Sequence, residues 1–423
     1  MRENLLPSDP APLTLTSPVR LVLLMAASLM INYVDRGNLA TAGPLLQAEL
    51  GLSATQFGAL GSAFFVTYVL AMIPAGWLAD RYGAKPILGI GVAIWSIATL
   101  LTGFVGGFAS LLALRLMLGV GESAAFPCTS KLIATCVNRE HIGLANGVNG
   151  FGYLFGPAIG TFVGGMLTAQ LGWRPVFVIF GAVSVLWLLP WGRIVVAETP
   201  LKSRATENAP AMGDILAQRG LWGAAIGHFA GNYSFYFILA WLPTYLVKVR
   251  GFSIHEMAWV ATAAYALNAT AAIAAGWGID RWIRTGRSAT IAYKTPLGLS
   301  HLVSIACMVG VAMLPTEGCI ISLFVFELFM GFSSPSYFGI PQILAGPTAA
   351  ARWVGVQNMC GNLAGIIAPV ATGVLIDATG TYVSAFTLAG VVNLLGFVGW
   401  VFVLPTIAPI RWPKDDMKCG SVT

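Results

Sequence analysis

The chain has 423 residues, of which 57% are hydrophobic and only 9% are charged, and its mean hydropathy is +0.78. Soluble domains carry about 25% charged residues, so this composition excludes a soluble enzyme and predicts an integral membrane protein. The net charge of +6 comes from basic residues in short loops between apolar runs, which is typical of membrane topology and not of a nucleic-acid-binding surface. The six cysteines are scattered and predict neither a disulfide framework nor a metal site.

The first 19 residues are polar and proline-rich, and we expect them to form a cytoplasmic tail and not a signal peptide. Apolar runs of about 20 residues, each sufficient for one helical crossing of a bilayer, then follow at 20–40, 54–79, 85–106, 108–129, 143–169, 173–193, 220–247, 257–280, 291–314, 318–344, 353–377 and 382–405. The sequence therefore predicts an all-α integral membrane protein with 12 transmembrane helices. These form two six-helix halves, 20–193 and 220–405, joined by a linker at 194–219 and followed by a cytoplasmic tail at 406–423.

Lysines and arginines are distributed unequally between the two sets of alternate loops. Eighteen lie on the side of the two termini and two lie within spans, whereas the other side holds only Arg174, Lys248 and Arg250. Because cytoplasmic loops are enriched in Lys and Arg, both termini and the linker are predicted to be cytoplasmic. We expect a multi-pass protein of the plasma membrane, which is the inner membrane in a bacterial cell.

A short motif occurs once in each half. Residues 76–85 (GWLADRYGAK) and 276–284 (GWGIDRWIR) share Gly, Trp, Asp and Arg at an interval of 200 residues. Parallel halves of this kind predict a binding site between them, exposed alternately to each side. The glycine permits close helix packing, and the aspartate can bind a helix N-terminus or a basic partner. We therefore predict a conformational gate formed by Gly76, Asp80, Arg81, Asp280 and Arg281.

Span one contains Asp35 and Arg36 at the end of its apolar run. A charge at the bilayer centre costs roughly 2.5 kcal/mol or more, so such residues usually mark a path for ions or solutes. Arg36 can bind a carboxylate, sulfonate or phosphate through two N–H groups. Asp35 points about 100° away from Arg36 on a helix, so we predict that it titrates separately as a proton carrier. A structural or snorkelling ion pair is the alternative.

Span four carries Arg115 and Glu122, two helical turns apart and therefore on one face. Pro127, farther along the span, can kink it. Glu122 has no opposite charge one turn away in the sequence, so we predict that it exchanges protons; an interhelical clamp is the alternative. For Arg115, a solute contact and a structural role are equally compatible with the pattern.

The segment 76–85 matches the GxxxDRxGxK loop signature of the major facilitator superfamily. Motifs along the whole chain resemble its anion:cation symporter family, kin to bacterial aldonate, hexuronate and tartrate permeases and to sialin: NYVDR, RLMLGVGESAAFP, NGFGYLFGP, GNYSFYFILAWLPTYL and GVQNMCGNLAGIIAP. The resemblance implies the major facilitator fold with two pseudo-symmetric halves. It also implies that Arg36 binds the substrate carboxylate and that Asp35 and Glu122 carry protons.

The resemblance further places Tyr33, Tyr68 and Asn362 near the substrate. Tyr153 stands where sugar-acid permeases often have glutamine, which argues against a polyhydroxylated sugar acid and leaves room for a smaller anion. Other polar side chains on spans seven and eleven can line the same cavity. The predicted substrate-binding set is Arg36, Tyr33, Tyr68, Arg115, Tyr153, Asn232, Tyr236, Asn358 and Asn362.

These patterns predict a secondary active transporter that imports a small organic anion in symport with H⁺ by alternating access. The anion is expected to be a carboxylate, such as a sugar acid or dicarboxylate, or a short sulfonate. No catalytic residue, metal or cofactor beyond the coupling proton is expected, and no nucleic acid or obligatory protein partner, so the chain should act as a monomer in the bilayer. The alternatives are an organic anion/phosphate antiporter on the same fold and, less favoured, a membrane receptor. Glu327 in span ten is either a second protonation site or a packed, protonated carboxyl.

Overall fold

The computed structural model describes residues 16–52, 54–196 and 209–412, so most of both predicted tails and part of the linker lie outside the described residues. Every regular element in these ranges is helical. The helices are α1 (Pro18–Leu50), α2 (Ala54–Tyr82), α3 (Ala84–Thr102), α4 (Phe108–Glu122), α5 (Ala125–Cys136), α6 (Ile142–Leu171), α7 (Trp173–Gly192), α8 (Met212–Leu216), α9 (Arg219–Lys248), α10 (Ile254–Arg284), α11 (Ala289–Met313), α12 (Thr316–Asn362), α13 (Ala364–Thr379) and α14 (Val383–Val398), with a 3₁₀ turn before α6 and a π-helical turn after α14.

Ten segments of the described chain are long and apolar enough to cross a bilayer. One of them, 316–379, is 64 residues long and contains two crossings, the first part of α12 and then its remainder with α13. Helix α9, with 30 residues, is a further crossing whose polar residues, including His228 and Asn232, lower its mean hydropathy. The all-helical membrane fold with two six-helix halves is therefore confirmed.

The break predicted between spans ten and eleven is present but shorter than the expected loop at 345–352, because the residues on both sides of it are helical and together form α12. The helix breaks at one residue, Gly346, whose φ of +64° lies in the left-handed region that glycine adopts without strain. Pro347 follows, where its fixed φ suits the start of a new helical stretch. As a consequence Arg352, counted as a loop residue, is buried within the first turns of span eleven.

The two spans with buried charges also differ from the predicted boundaries. Helix α1 runs to Leu50, so Asp35 and Arg36 lie in the middle of a 33-residue helix and not near its end. The predicted span 108–129 is part of one longer apolar segment, 108–136, in which the regular helix is interrupted at residues 123–124 between α4 and α5. Ser123 and Ala124 keep right-handed helical dihedral angles, so the interruption is local. Pro127, in the first turn of α5, has no N–H to donate to the preceding turn. Glu122 therefore lies next to a local interruption within one crossing.

The two halves pack together on one side of the molecule, which we call the terminal side because α1 begins there and α2 and α10 end there. We call the opposite side, where α1 ends and α2 begins, the distal side. On the terminal side α2 packs against α12 so closely that a Cβ on Gly76 would lie 2.6 Å from the carbonyl oxygen of Ala351. Helices α6 and α10 approach in the same way through Gly143 and Gly276. The glycines of both motif copies thus permit close contact between the halves.

Candidate functional site

A cavity of about 770 Å³ lies between the halves on the distal side of this contact. Its lining comes from the distal parts of α1, α2, α4 and α6 in the first half and of α9, α10 and α13 in the second. Arg36 and Arg115 are the charged residues in that lining. The volume falls within the range of about 300–1,000 Å³ that is usual for small-molecule sites.

A second, smaller cavity of about 40 Å³ lies deeper between the halves and shares Tyr33, Phe235 and Tyr236 with the first. We call it the deep pocket. Its other lining residues include Tyr153, Asn232, Asn358 and Asn362. Of the nine predicted substrate-binding residues, eight therefore line one cavity or the other, and the ninth, Tyr68, contacts Arg36.

The side chain of Arg36 is mostly buried, and its Nε has a different environment from its Nη1 and Nη2. Its Nε donates a hydrogen bond of 2.8 Å to Oε2 of Glu122. Its guanidinium carbon lies 4.4 Å from the ring centres of both Tyr33 and Tyr68 and 5.1 Å from that of Phe64. These cation–π contacts offset part of the cost of desolvation. Nη1 and Nη2 have no hydrogen-bond partner among the described residues, so this end of the guanidinium can bind an anion.

Glu122 is fully buried, and its Oε1 has no hydrogen-bond partner among the described residues. The partner of its other oxygen, Arg36, comes from a different helix 86 residues away, which the spacing within span four could not show. Arg115 is buried on the same helix and attracts both Glu122 and Asp35 electrostatically. The two acids and two arginines form one charged cluster in the first half.

Asp35 is buried but does not bind its neighbour Arg36. Its Oδ2 accepts a hydrogen bond of 3.4 Å from Thr99 Oγ1, and its Oδ1 has no partner within the described chain. The carboxyl group of Asp35 therefore has a different environment from the guanidinium of Arg36, as expected for adjacent positions on a helix. Thr99 was not identified from the sequence, because a threonine within an apolar span carries no distinguishing signal. The proton-carrying role of Asp35 stays a prediction.

The second half contributes neutral polar groups to the same region. Tyr236 donates from its hydroxyl to Asn362 Oδ1 at 2.7 Å, and Asn362 Nδ2 donates to the carbonyl oxygen of Asn358 at 2.8 Å. Asn232 lies on the wall of the deep pocket beside His228. The structure brings these predicted residues together, and their role in binding stays a prediction.

Tyr153 belongs to an aromatic cluster that sequence analysis missed. Its hydroxyl lies 2.6 Å from Ser334 Oγ of the second half, and its ring packs against Tyr33, Phe126 and Phe338 at centroid distances of 5.5–6.5 Å. Phe126 stands in the span-four motif and could have been noticed there. Phe338 and Ser334 belong to no motif, so only the packing of α12 reveals them.

The first copy of the repeated motif joins the halves on the terminal side. Asp80 Oδ2 accepts a hydrogen bond of 2.8 Å from Arg352 Nε, and Lys131 Nζ lies 3.4 Å from Oδ1. Arg352 also donates to the carbonyl oxygen of Pro210 at 2.6 Å, so the end of the linker is held in the same contact. Lys131 and Arg352 were not identified as gate residues from the sequence.

In the second copy of the repeated motif, backbone N–H groups bind the aspartate. Asp280 accepts hydrogen bonds of 2.8 and 2.7 Å from the N–H groups of Gly143 and Leu144 at the N-terminus of α6. A carboxylate is stabilised there by the helix dipole. Arg81 and Arg281 are exposed, and each lies over the tryptophan of its own motif at 5.2 and 5.7 Å. A gating role for these two arginines stays a prediction.

Glu327 lies apart from the charged cluster. It is buried in the second half, and its Oε2 accepts a hydrogen bond from Asn268 Nδ2. It forms no salt bridge with any described residue. Both alternatives for this carboxyl remain open.

Comparison with known proteins was made at the level of sequence and of fold. The family model of the Major Facilitator Superfamily matches residues 25–369. The hexuronate transporter of Bacillus subtilis (strain 168) is 30% identical over 403 residues, which cover 92% of this chain and 95% of that protein. The protein named "Probable sulfoacetate transporter SauU" from Cupriavidus necator is 30% identical over 417 residues, 94% of this chain and 96% of its own length.

Solved structures show the same fold. The transporter FucP in the outward conformation matches with a TM-score of 0.74 at 15% identity, covering 92% of this chain and 99% of FucP. The proton:xylose symporter XylE matches with a TM-score of 0.76 at 14% identity, covering 92% and 96%. The expectations of fold, of family and of a non-enzymatic function are confirmed. The chain belongs to the major facilitator superfamily and is a multi-pass membrane transporter.

Proposed function

We propose that this protein imports a small organic anion, a carboxylate or a short sulfonate, in symport with H⁺ by alternating access. One observation carries the proposal: Arg36 lines the cavity, its Nη1 and Nη2 are buried without a hydrogen-bond partner among the described residues, and its Nε is bound to a buried acid, Glu122. The relatives named for hexuronate and sulfoacetate transport support the choice of substrate class, because both solutes carry an anionic group that an arginine can bind.

The ion pair between Arg36 and Glu122 provides the coupling. An ionised Glu122 competes with the substrate for the positive charge of Arg36. A proton on Glu122 removes that competition, so the anion and the proton favour each other's binding. Asp35, which has no cation of its own in contact, serves as a second site for protons.

The gate contacts supply the conformational part of the proposal. The terminal side is taken as cytoplasmic, in agreement with the excess of lysines and arginines that the sequence predicts for that side. Contacts of Asp80 and Asp280 then close the cytoplasmic side, and the cavity lies toward the outside. Release of the anion inside requires these contacts to separate. The protein is placed in the plasma membrane with both termini in the cytoplasm.

Uptake into proteoliposomes tests this function. With cyclohexanecarboxylate, benzenesulfonate, D-galacturonate and sulfoacetate as probes, an inside-alkaline pH gradient is expected to drive accumulation of at least one of them by the wild type. Glu122→Gln is expected to lose the response to the gradient but to retain exchange of internal for external anion, and Arg36→Gln to lose both. Uptake that ignores the gradient, or an unchanged gradient response in Glu122→Gln, would contradict the proposal.

Anion exchange is the second candidate, and Arg115 favours it. Two arginines in one cavity lining can bind a phosphate dianion. Proteoliposomes loaded with inorganic phosphate and given no pH gradient distinguish the two mechanisms. An exchanger would take up the external anion only when phosphate is inside.

A further inference from the structure

We propose, on the basis of the symport function above, that the natural substrate is a monoanion with a largely apolar body. An aromatic or alicyclic carboxylate or sulfonate fits this description, whereas a polyhydroxylated sugar acid does not. Three features of the site support this inference: the cavity wall, the aromatic cluster around the deep pocket, and the hydrogen bonds already made there.

The wall of the large cavity is mainly apolar once its two arginines are set aside. The helices of both halves contribute hydrocarbon and aromatic side chains, among them Leu39, Phe64, Phe65, Leu239, Leu242 and Pro369. An anion held at Arg36 places its body against this wall. Hydroxyl groups there would lose their water partners and gain few in return, whereas carbon atoms would be buried favourably.

The deep pocket can receive only one end of a substrate that is held at Arg36. A site needs roughly 10–15 Å³ to hold one water molecule, so its volume of about 40 Å³ corresponds to about three. The rings of Phe126 and Phe338 stack at 4.9 Å, and Tyr33 and Tyr153 pack beside them at 5.6 Å from each other. These four rings present an aromatic surface that suits a flat or alicyclic group.

Several polar groups of the deep pocket are already bonded. Tyr153 bonds Ser334, Tyr236 bonds Asn362, and Asn362 in turn bonds Asn358. A site that recognises several hydroxyls needs donors and acceptors that are not already used, because discrimination comes from partners left unpaired. Among the buried side-chain atoms of the lining, Asn358 Nδ2 and Asn268 Oδ1 lack a hydrogen-bond partner in the described chain and can serve one or two polar substituents.

The distribution of charge places both cations of the described cavity lining at one end of the substrate. Arg36 and Arg115 both belong to the first half, next to the acids Asp35 and Glu122. The second half contributes no lysine or arginine to the described lining of either cavity. A second carboxylate at the far end of a substrate anchored at Arg36 would therefore lie against neutral amides and rings without a counter-charge.

A matched pair of ligands tests the inference. Cyclohexanecarboxylate and D-glucuronate both carry one carboxylate on a six-membered ring and differ chiefly in the ring oxygen and the hydroxyls. Calorimetric titration of the purified wild type is expected to give a Kd at least tenfold lower for cyclohexanecarboxylate, which is about 1.4 kcal/mol. Tyr153→Phe, which keeps the ring, should retain this preference, and Tyr153→Gln should reduce it or reverse it.

The possible outcomes separate this inference from the proposed function. Equal or tighter binding of D-glucuronate would overturn the inference of an apolar substrate, and so would failure of cyclohexanecarboxylate, D-glucuronate and benzenesulfonate to bind. In either case, gradient-driven uptake of another anion would leave the proposed symport function intact. Binding that is unchanged in Arg36→Gln would contradict the anion anchor and with it the proposed function.

Discussion

The two halves share a fold but bring different chemistry to the cavity between them. The first half supplies a cluster of four charged groups, Asp35, Arg36, Arg115 and Glu122. The second half supplies hydroxyl, amide and aromatic groups. Its buried acid Glu327 lies outside the described lining of both cavities and is bound by the amide of Asn268 and by no cation within the described chain. The same fold can therefore carry charged groups in one half and uncharged polar and aromatic groups in the other.

The same contrast occurs at the gate and on the distal side. Asp80 binds two cations, Lys131 of its own half and Arg352 of the other, whereas Asp280 binds two backbone N–H groups. On the distal side Arg174 binds the carboxylate of Glu49, whereas Arg250 binds the hydroxyl of Tyr245 and a backbone carbonyl. Ionic contacts in the first half correspond to neutral contacts in the second. The predictions below test whether this difference has functional consequences.

The largest effect is expected from Arg36→Gln. Two charge-assisted hydrogen bonds to the anion are worth about 1.5–3 kcal/mol each, so their loss should lower uptake more than 100-fold. Arg287→Gln is the control, since Arg287 is exposed, lies outside the described lining of both cavities and has no predicted role in the gate, and it should stay within about threefold of the wild type. Retention of more than a tenth of wild-type initial uptake by Arg36→Gln in proteoliposomes would contradict the anchor.

The second comparison concerns the buried acids of the two halves. Glu122→Gln should abolish the stimulation of uptake by an inside-alkaline gradient, about tenfold or more, because a neutral amide then replaces the carboxylate that competes for Arg36 and takes up the proton. Glu327→Gln keeps a hydrogen-bonding side chain at an uncharged site and should change the gradient response less than twofold. Equal loss of gradient response in both variants would show that proton coupling is not confined to the first half.

Substitution of the gate aspartate should slow transport more in the first copy of the motif than in the second. Asp80→Asn leaves Arg352 and Lys131 without their buried counter-charge, and breaking such a pair costs about 3–5 kcal/mol. We expect the population of the distal-open state to fall and transport to slow about tenfold. Asp280→Asn retains an oxygen for the N–H groups of α6 and should slow transport about threefold. Labelling of a single cysteine introduced at Leu239, in the cavity lining, measures the population directly; identical labelling in both variants would contradict the contrast.

The smallest effect is expected on the distal side and depends on pH. Hydrogen bonds from Arg174 and then from Trp173 lower the pKa of the Glu49 carboxyl from its ordinary value. Its contribution to stability is therefore complete above the pKa of the unfolded state, near 4.5, and is lost as the pH falls through the lower pKa of the folded state. Glu49→Gln should lower Tm by about 1 °C at pH 7 and by less below pH 4, since an exposed pair contributes little. Tyr245→Phe, at the neutral counterpart, should give a Tm change that is the same at both pH values, and a pH-dependent change there would contradict the comparison.

Much of the architecture could be predicted because a bilayer imposes length and polarity on every crossing. The twelve apolar runs, the repeated motif and the expense of Asp35, Arg36 and Glu122 within spans are all visible in the sequence. The contact between Arg36 and Glu122 is not, because it depends on the rotation and depth of two helices that meet 86 residues apart.

Local breaks in the helices were the other features that could not be predicted from composition. A single glycine with positive φ replaces the expected loop at 345–352, and hydropathy averaged over a window does not detect one residue. That break places Arg352 where it can reach Asp80, so the partners of the gate aspartate were missed together with the helix boundary. The aromatic cluster around Tyr153 was missed because aromatic residues in spans are usually packing residues.

The central claim is that one proton on Glu122 releases Arg36 for the anion. Calorimetric titration of the purified wild type and of Glu122→Gln with the same anion, at several pH values between 5 and 8, tests it directly. We predict that affinity for the wild type rises as the pH falls, and that Glu122→Gln binds at every pH with about the affinity that the wild type reaches at pH 5. Affinity with the same pH dependence in both proteins would contradict the account.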